Sequence, residues 1–263
     1  MLESQGTRDL AAAFQNYFTI APALTQETRE EVYRIRHEVY CRDLGWEPIR
    51  ADGMETDDAD LHSVHCLLRQ QGTLAPVGCT RLILVRQGKE LPFEESCRDA
   101  LDRGIVDPEQ LPRNSIGEVS RLAVVSTFRQ RKGEQGVAMT SASETNFAPD
   151  QPMPRFPFIP VSLYLAAAAV ARHLGVEHVF VLTEPRLASH FLRIGFDIRT
   201  VGSPIEHRGT RVPSLLSSSK VVENLRPMIR PLYDVVQQSV EKAFASHPEA
   251  IQALKANGWH PGT

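Results

Sequence analysis

The order of helical and strand-like segments is the feature that most constrains the fold of this sequence. Apolar residues recur at helical spacing from Gln26 to Asp43. Two strand-like runs follow, SVHCLLR and PVGCTRLILV, and the short polar stretch between them predicts a hairpin. The strand-like runs GEVSRLAVV and VEHVFVLTE then alternate with two helical segments, and short strand-like runs follow. This order predicts an α/β fold with a mixed sheet, wrapped as one domain.

The two ends of the chain extend beyond this alternation. Residues 1–24 are expected to form an arm or a short helix and strand. Residues 218–263 show a helical pattern broken by Pro227 and Pro231, so we predict a C-terminal helical extension after a main domain at residues 1–217. The polar, proline-rich stretch after GEVSRLAVV predicts a long loop, and loops of such length are usually functional or disordered.

Composition and charge exclude several classes of protein. Hydrophobic residues make up 42% and charged residues 23% of the 263-residue chain, which is ordinary for a soluble globular protein. The net charge of -3 gives no electrostatic footprint for nucleic acid. The N-terminal sequence MLESQGTRDLAAAFQNYF lacks the basic and apolar segments of a secretion signal, and the four cysteines show no metal-binding spacing. A cytoplasmic location is therefore expected.

Two full charges interrupt the run IGEVSRLAV, which otherwise has the pattern of a buried strand. Strict alternation places Glu118, Leu122 and Val124 on one face and Arg121 on the other, unless a bulge intervenes. A salt bridge at the strand end is the structural alternative. A buried ion pair is weak evidence for stability, because desolvation offsets the Coulombic gain. A functional role is therefore favoured for Glu118 and Arg121.

Other charges occupy positions at which apolar residues would serve. Arg81 interrupts the apolar run VGCTRLILV, and Arg36 lies in the middle of the first amphipathic helix. The loop METDDAD contributes the carboxylates of Glu55, Asp57 and Asp60. We expect these arginines and carboxylates to meet and neutralise one another in one cleft, with a solvated acidic loop as the alternative for METDDAD.

Motifs of several other chemistries are absent from the sequence. METDDAD lacks the glycine and the final glutamate of a calcium-binding EF-hand loop. His62 and His65 have no partner ligands at suitable spacing, so both are interpreted as structural residues. No G-x-S-x-G, Walker A or G-x-G-x-x-G motif occurs, which argues against a serine hydrolase.

Four segments of the first half resemble motifs of acyl-homoserine-lactone synthases, in the same order: RHEVYCRDLGW, ETDDAD, VGCTRLI and GEVSRLAV. The second half, with RFPFIPVSLYLAAAAVARHLG, VFVLTEPRLASHFLRIGF and VGSPIEHRGTRVPS, resembles acyltransferases associated with bacterial PEP-CTERM/exosortase gene clusters. These are kin of the N-acyl amino acid synthases, and all belong to the GNAT superfamily. Over residues 25–215 the resemblance implies a GNAT-like mixed, mostly antiparallel sheet flanked by helices.

The resemblance also implies a set of site residues. The catalytic set is Glu118, Arg121 and Arg81. The substrate-binding set is Arg36, Tyr40, Trp46, Asp57, Asp60, Leu122 and Val124. In this interpretation Glu118 takes a proton from the amine, and backbone N–H groups around Leu122 to Val124 stabilise the oxyanion. Arg121 and Arg81 either clamp an acceptor carboxylate or orient the neighbouring acids.

The acyl donor follows from a departure from the GNAT pattern. GNAT enzymes hold the coenzyme A pyrophosphate on a short glycine-rich turn at a helix N-terminus. Here RQRKGEQG has part of that pattern, but the next helix begins only near Val161. Binding of the pyrophosphate by this turn is therefore not expected. The proposed chemistry also requires no tightly bound cofactor and no metal. The co-substrate would be an acyl-phosphopantetheine on an acyl carrier protein, with acyl-coenzyme A as a further option. Docking charges would be Arg129, Arg131 and Lys132.

The resulting prediction is an N-acyltransferase that makes N-acyl amino acids. Its partners would be an acyl carrier protein and a small-molecule amine, with a weak membrane-surface contact through Lys220, Arg226 and Arg230 and no nucleic acid. A synthase of an acyl-homoserine-lactone-like signal is one alternative. A non-catalytic module that binds an acyl carrier or a lipid is the other.

Overall fold

The computed structural model describes residues 3–86, 88–128 and 158–261. Its strands are β1 (Phe18–Pro22), β2 (Ser63–Gln70), β3 (Pro76–Leu84), β4 (Ile116–Val124), β5 (His178–Thr183), β6 (Ile198–Thr200), β7 (Ile205–Glu206) and β8 (Thr210–Ser217). They form one sheet in the order β1-β2-β3-β4-β5-β8-β6, and β7 pairs with β8. Only the β4–β5 pair is parallel among these strands. The predicted mixed, mostly antiparallel sheet is confirmed.

Helices cover the sheet and follow the predicted order. They are α1 (Glu3–Tyr17), α2 (Gln26–Arg36), α3 (Pro92–Ser96), α4 (Phe158–His173), α5 (Pro185–Ile194), α6 (Ser218–Asn224), α7 (Arg230–Ser246) and α8 (Glu249–Ala256). Thr25 caps α2, because its side chain accepts the backbone N–H of Thr28. The helix continues as a π-helix over His37–Asp43, so the predicted helix over residues 26–43 is confirmed with a local widening.

The two faces of the sheet have different partners. Helix α4 is apolar and buried along almost its whole length, and it packs with α1 and α7 against one face. The opposite face is covered by α2 and by the segment that contains α3. Strand β3 is therefore buried on both faces, which explains its continuous apolar run.

The C-terminal helices share the main core. Leu232, Val236 and Val240 of α7 are buried in the same apolar cluster as α4. The apolar face of α7 therefore packs into the protein core. It is not available there for the predicted contact with a membrane surface. Among the described residues, none of the helices combines the length and apolarity needed to cross a membrane. The division into 1–217 and 218–263 stays a prediction.

Strands β4 and β5 separate part-way along their length. Their pairing runs from Ile116 opposite His178 to Val119 opposite Val181, and both strands continue beyond it. On the other side of β4, the register with β3 shifts between Ser120 and Ala123, which is a β-bulge. The parting of β4 from β5 and the bulge together create the opening described below.

Candidate active site

A cavity of about 490 Å³ occupies the gap between the diverging ends of β4 and β5. Trp46 and Phe93 line it from the face covered by α2 and α3. Tyr164 and Leu187 line it from the face covered by α4 and α5. The cavity therefore reaches both faces of the sheet, and its volume is typical of a site for a small molecule.

The bulge in β4 corrects the strict alternation expected from the sequence. Arg121 adopts a left-handed conformation with φ of 52°. The extra residue returns Ala123 to the face of Glu118 and Ser120, and it turns Val124 to the α4 face. Arg121 consequently reaches the same side of the sheet as Glu118, although alternation placed it on the opposite one. A left-handed, non-glycine residue costs energy and is common at functional sites.

Tyr40 secures this bulge from helix residues 37–43. Its hydroxyl donates a hydrogen bond of 2.7 Å to the carbonyl oxygen of Leu122. The Tyr40 ring stacks on Trp46 with centroids 5.9 Å apart, and the Arg121 guanidinium lies 5.8 Å from the Tyr40 ring centroid. Leu122 lines the cavity, whereas Val124 is buried behind the sheet and does not. Three of the four predicted substrate-binding residues in this region, Tyr40, Trp46 and Leu122, therefore line the cavity, and Val124 does not.

We expect Tyr40→Phe to destabilise the protein and to lower turnover. The change leaves the partly buried Leu122 carbonyl without its hydroxyl donor, which costs at most about 1–3 kcal/mol. Tyr233→Phe is the matched control, because the Tyr233 hydroxyl is buried with no hydrogen-bond partner among the described residues. Chemical denaturation gives the two free energies of unfolding. Equal losses in both variants would mean that the Tyr40 hydroxyl does not secure the bulge.

Three arginines and three carboxylates meet beside the cavity, as the sequence predicts. We call them the acid–arginine cluster: Arg36, Arg81, Arg121, Glu55, Asp57 and Asp60. Arg36 has no exposed surface, and its guanidinium donates to Glu55 and, over 2.6 Å, to Asp60. The carboxylates come from the loop before β2, so the acidic loop is not merely solvated.

Arg81 and Arg121 complete the cluster from the sheet. Arg81 donates from Nη1 to Asp57 at 2.5 Å and to Asp60 at 2.6 Å. Arg121 approaches Asp57 at 3.0 Å and Glu55 at 3.2 Å. Burial raises the pKa of Asp60, but hydrogen bonds and charges from Arg36 and Arg81 outweigh this and hold that pKa below its usual value. Asp60 is therefore held as a carboxylate between two guanidinium groups.

Glu118 stands apart from this cluster. Its side chain lines the cavity, is 8% exposed, and forms no ion pair with the described residues. Within the described residues, the backbone N–H of Phe93 donates a hydrogen bond of 2.8 Å to its Oε2. Burial raises the pKa of Glu118 to about 7, and this hydrogen bond opposes the shift only in part. The strand-end salt bridge considered from the sequence is therefore absent from the described residues.

A second ion-pair system lines the cavity and was missed by the sequence reasoning. Arg208, in the turn between β7 and β8, donates to Glu47 at 2.5 Å, and its guanidinium lies 5.6 Å from the Trp46 ring centroid. Arg211 pairs with Glu184 on the other side of the gap. These residues are far apart in sequence and lie in polar segments, so no local pattern signals their contact. The same applies to Tyr164 of α4, whose position on the cavity no local pattern signals.

His62 and His65 are both buried, and burial lowers the pKa of each. His65 has no exposed surface, and burial lowers its pKa to about 3, so its imidazole is neutral beside Asp60. Burial likewise lowers the pKa of His62 to about 4. No group of residues suited to hold a metal ion occurs within the described part of the chain. Both histidines lie in the interior, in line with their structural interpretation.

The predicted docking residues Arg129, Arg131 and Lys132 lie outside the described residues. The remaining predicted site residues, with the exception of Val124, lie around the cavity or in the acid–arginine cluster.

Part of the sequence matches a known protein family. Residues 35–139 match the family model for an acetyltransferase (GNAT) domain, which ends beyond β4. The sequence has no match among curated proteins.

Solved structures share the fold at low sequence identity. The coenzyme A-dependent acyl-homoserine lactone synthase BjaI, solved with SAM and isopentyl-CoA, is 19% identical and has a TM-score of 0.54, covering 83% of this chain and 89% of its own. A second such synthase, MesI, is 18% identical with a TM-score of 0.55, covering 81% and 95%. FeeM, an N-acyl amino acid synthase from uncultured soil microbes, is 12% identical with a TM-score of 0.50, covering 79% and 94%. Residues 35–139 therefore match a GNAT domain, and the chain shares the fold of these synthases, which agrees with the GNAT resemblance drawn from its motifs.

Proposed function

We propose that this protein moves a fatty acyl group from the thioester of an acyl carrier protein to the amine of an amino acid or a similar small molecule. The observation that carries the proposal is the position of Glu118. It is a buried carboxylate with a pKa near neutrality, placed on a cavity that crosses the sheet. A carboxylate with these properties suits a general base at neutral pH.

The two ends of the cavity suit two different substrates. On the α4 side the walls include the apolar Leu187 and Val181 together with Tyr164. An acyl chain on its phosphopantetheine arm fits this side, because it brings apolar surface. On the α2 side the walls include Asp57, Arg121 and Trp46. A small polar amine fits there. The thioester and the amine would then meet at β4 without a covalent enzyme intermediate.

The side chains and backbone groups around the cavity can carry each step of the proposed acyl transfer. The amine nitrogen attacks the thioester carbonyl, a C–N bond forms, and Glu118 accepts a proton from the nitrogen. The oxyanion is stabilised by backbone N–H groups near the bulge at Leu122, and loss of one such donor typically costs about 3–4 kcal/mol. The C–S bond then breaks, and the thiolate needs a proton. Glu118 gives this proton, taken from the amine, to the thiolate, directly or by relay through the Tyr164 hydroxyl, which lines the cavity and stays protonated because burial raises its pKa. Both side chains then end in their starting state. The products are an amide and a free thiol.

The three arginines of the cluster differ in how far they can reach a substrate. Arg36 and Arg81 are buried and each is bound by carboxylates of the protein. Of the two roles left open by the sequence, orientation of the acids therefore suits Arg81 better than a clamp on a substrate carboxylate. Arg121, with 20% of its side chain exposed, is the arginine of the cluster best placed to reach a substrate.

Carrier docking rests on the basic sequence FRQRK. Carrier proteins are acidic, so Arg129, Arg131 and Lys132 remain the proposed docking charges. The double variant Arg129→Glu with Arg131→Glu should raise the KM for acyl carrier protein by about tenfold or more, since it reverses two charges. The KM for a small acyl-pantetheine thioester should not change. Equal effects on both donors would reject docking through these residues.

A synthase of an acyl-homoserine-lactone-like signal is the second candidate, because its motifs match RHEVYCRDLGW, ETDDAD, VGCTRLI and GEVSRLAV. The purified protein with acyl carrier protein thioester and S-adenosylmethionine separates the two. Release of an acyl-lactone would favour the signal synthase. An N-acyl amino acid formed without S-adenosylmethionine would favour the first proposal.

Mass spectrometry of lipid extracts tests the proposed function in cells. Cells that overproduce the protein should contain a series of N-acyl amino acids that is absent from cells producing Glu118→Gln or Arg121→Ala. Co-expression of the carrier protein and feeding of amino acids secures the supply of both substrates. No new lipid under these conditions would favour a non-catalytic module that binds an acyl carrier or a lipid.

A further inference from the structure

Arg208 differs from the other arginines at the α2 end of the cavity. Arg36 and Arg81 are buried and bound by several carboxylates, whereas Arg208 has one carboxylate partner among the described residues, Glu47. Its side chain is 29% exposed and lines the cavity. A guanidinium has five N–H donors in a planar fork, so Arg208 keeps donors for a second anion.

The backbone holds Arg208 in place for such a role. Arg208 adopts a left-handed conformation with φ of 56°, as Arg121 does with φ of 52°. The Arg211 guanidinium donates to the Arg208 carbonyl at 3.2 Å and is itself anchored by Glu184. The guanidinium also lies over the Trp46 ring, in the range of a cation–π contact. Held in this way, Arg208 binds an anion with little loss of conformational entropy.

The Glu47 carboxylate is an example of an anion bound by Arg208. One of its oxygens, Oε1, lies 2.5 Å from Nη2 of Arg208 and 3.4 Å from Nη2 of Arg121. A single carboxylate oxygen therefore bridges the two arginines at the edge of the cavity. The Glu47 side chain is 21% exposed, and its neighbour Ile49 is 72% exposed, so packing does not enclose this part of the loop.

We propose that Arg208 and Arg121 form the binding site for the carboxylate of the acceptor amino acid, and that Glu47 occupies this site until the acceptor displaces it. The inference rests on the proposed acyl transfer and deepens it, since it makes the acceptor an α-amino acid rather than a simple amine. The acceptor's amine would then extend from the arginines toward Glu118 on the same face of the sheet. Glu47 is neither base nor nucleophile in this scheme.

Two substitutions should act in opposite directions. Arg208→Gln removes a charged donor, so the KM for the acceptor should rise by about tenfold or more, with the KM for the acyl donor unchanged. Glu47→Gln removes the internal competitor, so the KM for the acceptor should fall severalfold. The surface pair Arg98 and Glu90, whose side chains are 58% and 51% exposed, gives matched controls as Arg98→Gln and Glu90→Gln.

The experiment uses the full chain, an acyl-pantetheine thioester, the twenty amino acids, and the carboxamide of the best acceptor. The inference predicts that wild type prefers the acid over the carboxamide and that Arg208→Gln abolishes this preference. Equal acylation of acid and carboxamide by wild type would overturn it, as would a rise in acceptor KM in Glu47→Gln. If wild type acylates no amine, both the proposed function and the inference fail. If it acylates amino acids and Arg208→Gln keeps the wild-type KM, the inference alone fails. Thermal melting of each variant confirms that it is folded.

Discussion

Glu118→Gln is expected to lower kcat for acyl transfer by about a hundredfold or more, in the range of a lost general base. The carboxamide has nearly the same size as the carboxylate and keeps an oxygen that accepts the Phe93 N–H. It has no basic site for the proton of the attacking amine. Steady-state kinetics with an acyl thioester and an amino acid measure the change. Turnover within about twofold of wild type would remove Glu118 from the catalytic role.

The stability of Glu118→Gln shows whether its loss of turnover comes from misfolding. Burial raises the pKa of Glu118 above its unfolded value, so the folded state binds the proton more tightly than the unfolded state. The favourable contribution of the protonated group is fully present below the unfolded pKa and is lost as pH rises toward 7. Glu118→Gln carries no such charge. We therefore expect its stability relative to wild type to increase with pH over this window, as measured by chemical denaturation at several pH values.

Arg36→Gln is expected to destabilise the protein by about 3–5 kcal/mol, the usual cost of removing one partner of a buried ion pair. Glu55 and Asp60 would stay in the interior without the guanidinium that faces both of them. Arg34→Gln, two residues away in α2, is the control. Arg34 pairs with Glu30 on the surface and its side chain is 55% exposed, so a loss of at most about 0.5 kcal/mol is expected.

Urea denaturation of both variants measures these free energies of unfolding. Similar losses at the two positions would contradict a structural role for the acid–arginine cluster. If Arg36→Gln is too unstable to purify, Arg36→Lys is the alternative, because it keeps the charge but not the planar fork. Arg36→Lys should lose more stability than Arg34→Gln and less than Arg36→Gln.

Much of the fold follows from periodic patterns in the sequence. The hairpin, the helix that begins at Gln26 and the apolar helix α4 have strong local signals, and all three form as predicted. The acid–arginine cluster was also predictable, because arginines in apolar runs need carboxylate partners. Arg36 and Arg81 meet those partners in the acidic loop.

Other features depend on tertiary contacts that no local pattern shows. The bulge that redirects Arg121 is held by Tyr40, and nothing in SRLAV states which residue bulges. Arg208 and Glu47 are 161 positions apart and meet only because the turn between β7 and β8 folds over the cavity. Exposed charged residues in loops are common, so their sequence carries little information about such pairs.

The pH dependence of catalysis tests the central claim most directly. Because the acceptor amine also titrates, the quantity to measure is the ratio of kcat/KM for wild type to that for Glu118→Gln, from about pH 5.5 to about pH 8.5. The amine affects both enzymes alike and cancels. If Glu118 is the general base, the ratio rises with pH and reaches half its maximum near pH 7, where the buried carboxyl loses its proton. A ratio that is constant over this range, or that falls with pH, would contradict the account.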